Sequence, residues 1–115
     1  MKLSVVSPVY RAELVLEELV ERISNSIPSA FNSFEIILVD DFSPDKSWQK
    51  IEEISKRNNN VRGFKLSRNF GQHYAITAGL NQVKGDYIVV LDCDLQDQPE
   101  EINKLFIESQ KGYDI

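Results

Sequence analysis

The sequence predicts an α/β fold: a mostly parallel, doubly wound sheet with helices on both faces. Three observations carry that expectation. Short apolar runs bounded by turn residues alternate with helical periodicity through all 115 residues, in the order β-α-β-α-β-α-β-α. Such alternation implies right-handed crossovers and parallel pairing. Polar clusters fall just after the apolar runs, at the strand ends where open α/β sheets bind ligands.

The elements follow in order. Leu3 to Ser7 is β-branched-rich and stops at Pro8, as a strand would. Glu13 to Ser26 carries Leu16, Leu19, Val20 and Ile23 at helical spacing, with acids on the other face. Glu35 to Val39 is a second strand, and Asp40 to Pro44 a turn whose Ser43 and Pro44 can open a helix over about 45–56. Trp48, Ile51 and Ile54 form the inner face of that helix, and 58–60 a loop. Val61 to Leu66 alternates enough to lie near a sheet edge. A weaker helix spans Tyr74 to Val83, stopped by Lys84-Gly85-Asp86. Tyr87 to Leu91 is the fourth strand. Pro99 to Gln110 is a helix whose first acids suit its positive end, and Gly112 stops it.

This length suits one compact domain, 1–115. A formal charge of −5 argues against a nucleic-acid partner, whose binding surface would be basic. An anionic ligand must therefore be met locally, by a metal, an arginine or helix N-termini. The single Cys93 excludes an internal disulfide and fits a reducing compartment. No signal peptide and no apolar run of membrane-spanning length is visible.

The most informative stretch is Val89 to Asp97, an apolar run that ends on Asp92 and Asp94. At i and i+2 in extended backbone, both carboxylates project from one face. Like charges at the end of a buried strand resist desolvation, unless a cation neutralises them. Hard oxygen donors with room for phosphate and water suit Mg²⁺ or Mn²⁺. Gln96 and Asp97 share this loop, with Asp97 read as a helix N-cap. Asp40 is positioned to accept a hydrogen bond from a base or ribose, as acids do in dinucleotide folds, and Asp41 to close a turn. Tyr10 can stack on a base. Arg68, beside Gly71, can clamp phosphate. Neither G-x-G-x-x-G nor a P-loop is present, which argues against a dinucleotide cofactor.

Ser-Pro-Val-Tyr, Leu-Val-Asp-Asp-Phe-Ser-Pro-Asp, Leu-Ser-Arg-Asn-Phe-Gly-Gln and Leu-Asp-Cys-Asp-Leu-Gln-Asp-Gln-Pro-Glu occur in this order. Jointly they resemble family 2 glycosyltransferases with the GT-A fold. The resemblance is closest to the polyprenyl-phosphate branch, the dolichol-phosphate mannose synthase and bactoprenol glucosyltransferase types, which serve cell-envelope polysaccharide synthesis. It implies metal-assisted, inverting transfer of a sugar from a UDP- or GDP-linked donor to an acceptor such as polyprenyl phosphate. By position, Pro8, Tyr10 and Glu13 would line the nucleoside pocket and Asp40 would bond the base. Arg68 would lie near the phosphates, with Gln96 beside the site. Asp92 and Asp94 would touch the ribose and the metal-bound diphosphate.

Two local departures from the family pattern stand out. Arg11 replaces the asparagine of the usual Pro-x-Tyr-Asn-Glu start, which displaces Glu13, and Cys93 replaces the more usual alanine. The resemblance also implies a longer catalytic domain. The chain then reads as its nucleotide-binding half, cut at the C-terminal end, with the general base and any membrane-associating part beyond. Work would be done on the cytoplasmic side. An exposed sheet edge would favour pairing with another chain, a homo-oligomer included. The competing readings are a phosphoaspartate receiver domain, which lacks here its usual early acidic pair, and a non-catalytic nucleotide-binding module.

Overall fold

The computed structural model describes residues 1–94 and 98–110. Strands β1 (Lys2–Val9), β2 (Ser33–Asp40), β3 (Val61–Lys65) and β4 (Tyr87–Val90) form one sheet in the order β3-β2-β1-β4. Every pairing is parallel. Helices α1 (Leu16–Ser24), α2 (Ser47–Arg57), α3 (Gln72–Leu80) and α4 (Ile102–Gln110) connect and flank them, and a 3-10 turn, Pro99–Glu101, leads into α4. The expected order and parallel sheet are found, with β3 at an edge.

Strand alternation decides which helix each residue meets. Leu3, Val5 and Val9 of β1, with Ile36 and Leu38 of β2, join the larger core beneath α1 and α2. Phe31, Tyr87 and Phe106, with ring centroids 4.8 to 5.6 Å apart, fasten α4 to this side. Val6, Ile37 and Val39 point the other way and meet Ala75 of α3. That helix carries little amphipathic signal, and sits close because Gly79 is small. A Cβ there would lie 2.5 Å from Val6 Cγ1 and 3.2 Å from Val39 Cγ2.

Pro8 extends β1 beyond its expected end at Ser7. The backbone of Val9 faces β2, since its carbonyl accepts from Asp41 N–H at 2.9 Å. Pro8 therefore faces the β4 side, where pairing has stopped at Val6↔Val90. Its missing N–H breaks no ladder bond, and the space past β4 stays open.

Two helices begin elsewhere than expected. α1 starts at Leu16 rather than Glu13, because loop 43–47 captures the amides before it. Arg11 N–H donates to Ser43 Oγ at 3.1 Å and Ala12 N–H to Ser47 Oγ at 2.8 Å. Asp45 Oδ2 accepts from Glu13 N–H at 3.5 Å. α3 starts at Gln72, two residues before Tyr74, because Gly71 at φ +101° turns the chain into the helix there.

The amino end of the sheet holds a closed polar network. Glu35 is 4% exposed. It accepts from Ser4 Oγ at 2.5 Å, Lys84 N–H at 2.7 Å and Arg62 at 2.9 Å. Gly85 N–H donates to Ser4 Oγ at 2.9 Å. Burial works against ionisation of Glu35, but these donors outweigh it and hold its carboxyl below the ordinary value.

Candidate active site

A cleft of about 440 Å³ opens at the carboxyl ends of β1, β2 and β4. Its walls are Pro8, Val9, Tyr10, Asp41, Asn69, Gly71, Gln72, Asp92, Cys93 and Asp94. Parity explains most of this set. Pro8 continues the face of Val6, Asp41 that of Val39, and Asp92 that of Val90, so all three turn toward the α3 side.

The same parity separates two neighbouring acids. Asp40 turns to the opposite face and is fully buried. Its Oδ1 accepts from Ser43 Oγ at 2.6 Å and its Oδ2 from Ser43 N–H at 3.3 Å. It does not line the cleft, so the expected base contact at Asp40 does not fit its position. Asp41, read from sequence as a turn former, is the β2 acid on the cleft wall. Its carboxylate accepts from Phe70 N–H at 2.9 Å and Gly71 N–H at 3.0 Å.

The other expected residues divide. Pro8, Tyr10, Asp92 and Asp94 come together on the wall. Tyr10 is 41% exposed, with the Arg11 guanidinium 5.4 Å from its ring centroid. Glu13 and Arg68 lie off it. Glu13 is half-buried on the approach to α1. Arg68 is exposed, its guanidinium 4.8 Å from the Phe70 ring centroid. Gln96 and Asp97 lie outside the described residues. Gln72 closes the Leu-Ser-Arg-Asn-Phe-Gly-Gln motif but was given no role from the sequence, yet its Nε2 donates to Asp92 Oδ1 at 2.8 Å.

Arg11 and Phe42, which follow β1 and β2, hold φ of +53° and +57°. This left-handed region favours glycine or asparagine, so both residues store backbone strain at the rim. Cys93 packs against the larger core, and burial pushes its thiol up, with the negative charges of Asp94 and Asp92 adding to the effect.

Among the described residues, no group of three or more His, Cys, Asp or Glu gathers that could hold a metal. A closed protein cage, as for structural zinc, is therefore not built there. Two carboxylates on an open rim are instead the donor set Mg²⁺ or Mn²⁺ takes when phosphate and water complete the shell.

Residues 4–115 match the family model described as Glycosyl transferase family 2. The chain belongs to that family. This family 2 chain is 46% identical over 115 residues to the undecaprenyl-phosphate 4-deoxy-4-formamido-L-arabinose transferase of Proteus mirabilis (strain HI4320). The match covers 99% of this chain and 35% of that protein, so the chain spans about a third of that relative's length. Among solved structures, S. aureus TarS 1–349 in complex with UDP-GlcNAc is similar at 26% identity and a TM-score of 0.69. That match covers 97% of this chain and 30% of TarS 1–349. The mannosyltransferase PcManGT of Pyrobaculum calidifontis, in complex with GDP-Man and Mn²⁺, matches at 20% identity and a TM-score of 0.70. It covers 80% of this chain and 27% of that one, a likeness of fold. Family membership and the GT-A fold set the receiver-domain reading aside.

Proposed function

We propose that this chain is the donor-binding part of an inverting glycosyltransferase, taking a sugar from a UDP- or GDP-linked donor to a polyprenyl-phosphate acceptor. The observation that carries the reading is the convergence of Asp41, Asp92, Asp94 and Tyr10 from three strand ends on one cleft. The named activity of the Proteus relative supports the acceptor class, and the UDP-GlcNAc complex of TarS supports the donor class. Such an acceptor would bring the working enzyme to the cytoplasmic side of a membrane. Among the described residues, no helix is long and apolar enough to cross one.

In this reading Tyr10 and Pro8 offer an aromatic and an apolar surface to the nucleoside. Asp41 is the β2 acid placed to meet the base. Arg68, off the wall itself, is the chain neighbour of Asn69 on it and is the cation proposed to meet the phosphates. Asp92 and Asp94 would hold Mg²⁺ or Mn²⁺ beside the diphosphate. An ion held there would supply Lewis-acid stabilisation of the charge on the departing nucleoside diphosphate. Asp92 and Asp94 fix where that charge is met, and the cleft wall orients the donor so that the acceptor attacks from the opposite side. No residue of this chain is assigned as the base that deprotonates the acceptor.

Titration of UDP and GDP by calorimetry, with and without Mn²⁺, tests the reading. Metal-dependent binding is expected, weakened roughly 10-fold or more in Asp94→Ala. Equal affinity with and without metal would remove the mechanism.

A further inference from the structure

We propose that Gln72 is a positioning residue: its side-chain amide orients Asp92 and so links the rim of β2 to the rim of β4 through the start of α3. The proposal rests on the donor-binding reading above and deepens it. The linkage runs from β2 through the start of α3 to β4. Asp41, at the end of β2, accepts the Phe70 and Gly71 N–H groups at 2.9 and 3.0 Å. Those bonds fix Gly71, whose φ of +101° sets where α3 begins. No atom lies within 4 Å of a Cβ placed at Gly71, so its backbone conformation, not space, demands glycine. The first residue of α3 is Gln72, and from there its Nε2 reaches Asp92 Oδ1 at 2.8 Å.

A carboxylate at an open cleft has several rotamers of similar energy. A fixed amide donor narrows that choice and leaves the charge intact. Supporting groups of this kind commonly set metal affinity as strongly as the ligands allow. Gln72 is exposed, so its replacement leaves the core untouched.

Two measurements decide the proposal. In the ligand-free protein, the Gln72 side-chain amide proton should lie downfield in ¹⁵N-edited NMR and return toward free-amide values in Asp92→Ala. With Mn²⁺ present, Gln72→Ala should weaken UDP or GDP binding roughly 10-fold, a larger loss than without the metal, with the thermal midpoint unchanged. Gln72→Glu, which sets a like charge against Asp92, should weaken it further. If wild type binds nucleotide with Mn²⁺ and Gln72→Ala binds equally well, the positioning role is wrong while the donor-site reading stands. If wild type shows no metal-dependent nucleotide binding, the donor-site reading is wrong and the role of Gln72 goes with it. An amide proton unmoved by Asp92→Ala would overturn the contact itself.

Discussion

The two ends of the sheet carry acids of opposite design. At the amino end, Glu35 is buried among donors from β1, β3 and the segment before β4. At the carboxyl end, Asp92 and Asp94 share the wall of an open cleft and Asp94 is exposed, while Asp41 on the same wall is buried and bonded by the Phe70 and Gly71 amides. Glu35 ties strands together; Asp92 and Asp94 face a space a ligand can enter. Burial alone does not mark an acid as functional. The buried Glu35 reads as structure because its donors close around it, and the rim acids read as a site because they converge on open volume.

Breaking the amino-end network should give the largest effect on stability. Glu35→Gln is expected to cost about 2 kcal/mol, since hydrogen bonds to a charged group are the strong kind and Arg62 keeps a partly exposed charge without its partner. Folding lowers the pKa of Glu35, so the unfolded chain binds the proton more readily. Its contribution is therefore fully present above the ordinary value of 4.5 and is lost as pH falls through the lower folded value. Denaturant melts of wild type against Glu35→Gln should converge as pH drops below about 4.5 and stay apart at neutral pH.

Ser4→Ala comes next, at about 1 to 2 kcal/mol, because it strips a donor from Glu35 and an acceptor from Gly85 N–H. Arg11→Asn sharpens the view of the other end. It should raise stability by about 0.5 to 1 kcal/mol by relieving a left-handed arginine with a residue that tolerates that conformation. Ser7→Ala should have the smallest effect, from neutral to slightly stabilising. Ser7 lies on the same strand as Ser4, but its buried Oγ finds no hydrogen-bond partner among the described residues. A thermal melt of each variant checks these three.

Much of this was legible in the sequence, and the failures are specific. Strand and helix order follows from periodicity and turn residues, which act locally. The late start of α1 does not, because the amides of Arg11 to Glu13 are claimed by Ser43, Ser47 and Asp45 from another loop. Asp92 and Asp94 were visible as a pair on a strand end. Asp40 was placed wrongly relative to Asp41, although counting alternation from Val39 separates them: once Val39 faces α3, so does Asp41, and Asp40 cannot. Gln72 stood at the end of a recognised motif but without a role, since a glutamine at a helix start acquires meaning only when tertiary packing brings β4 within its reach. The Arg11 strain was hinted at by its position, where the family pattern carries asparagine.

The most direct test of the contrast crosses the two ends in one thermal-shift experiment, with and without Mn²⁺ plus UDP or GDP. Glu35→Gln should melt lower than wild type yet keep the full ligand-induced rise, which at 100 times Kd amounts to about 2.7 kcal/mol. Asp94→Asn should melt within about 0.5 kcal/mol of wild type and lose most of that rise. Wild type unmoved by metal and nucleotide together, or Asp94→Asn stabilised as much as wild type, would contradict the assignment of the carboxyl-end acids to a metal-diphosphate site.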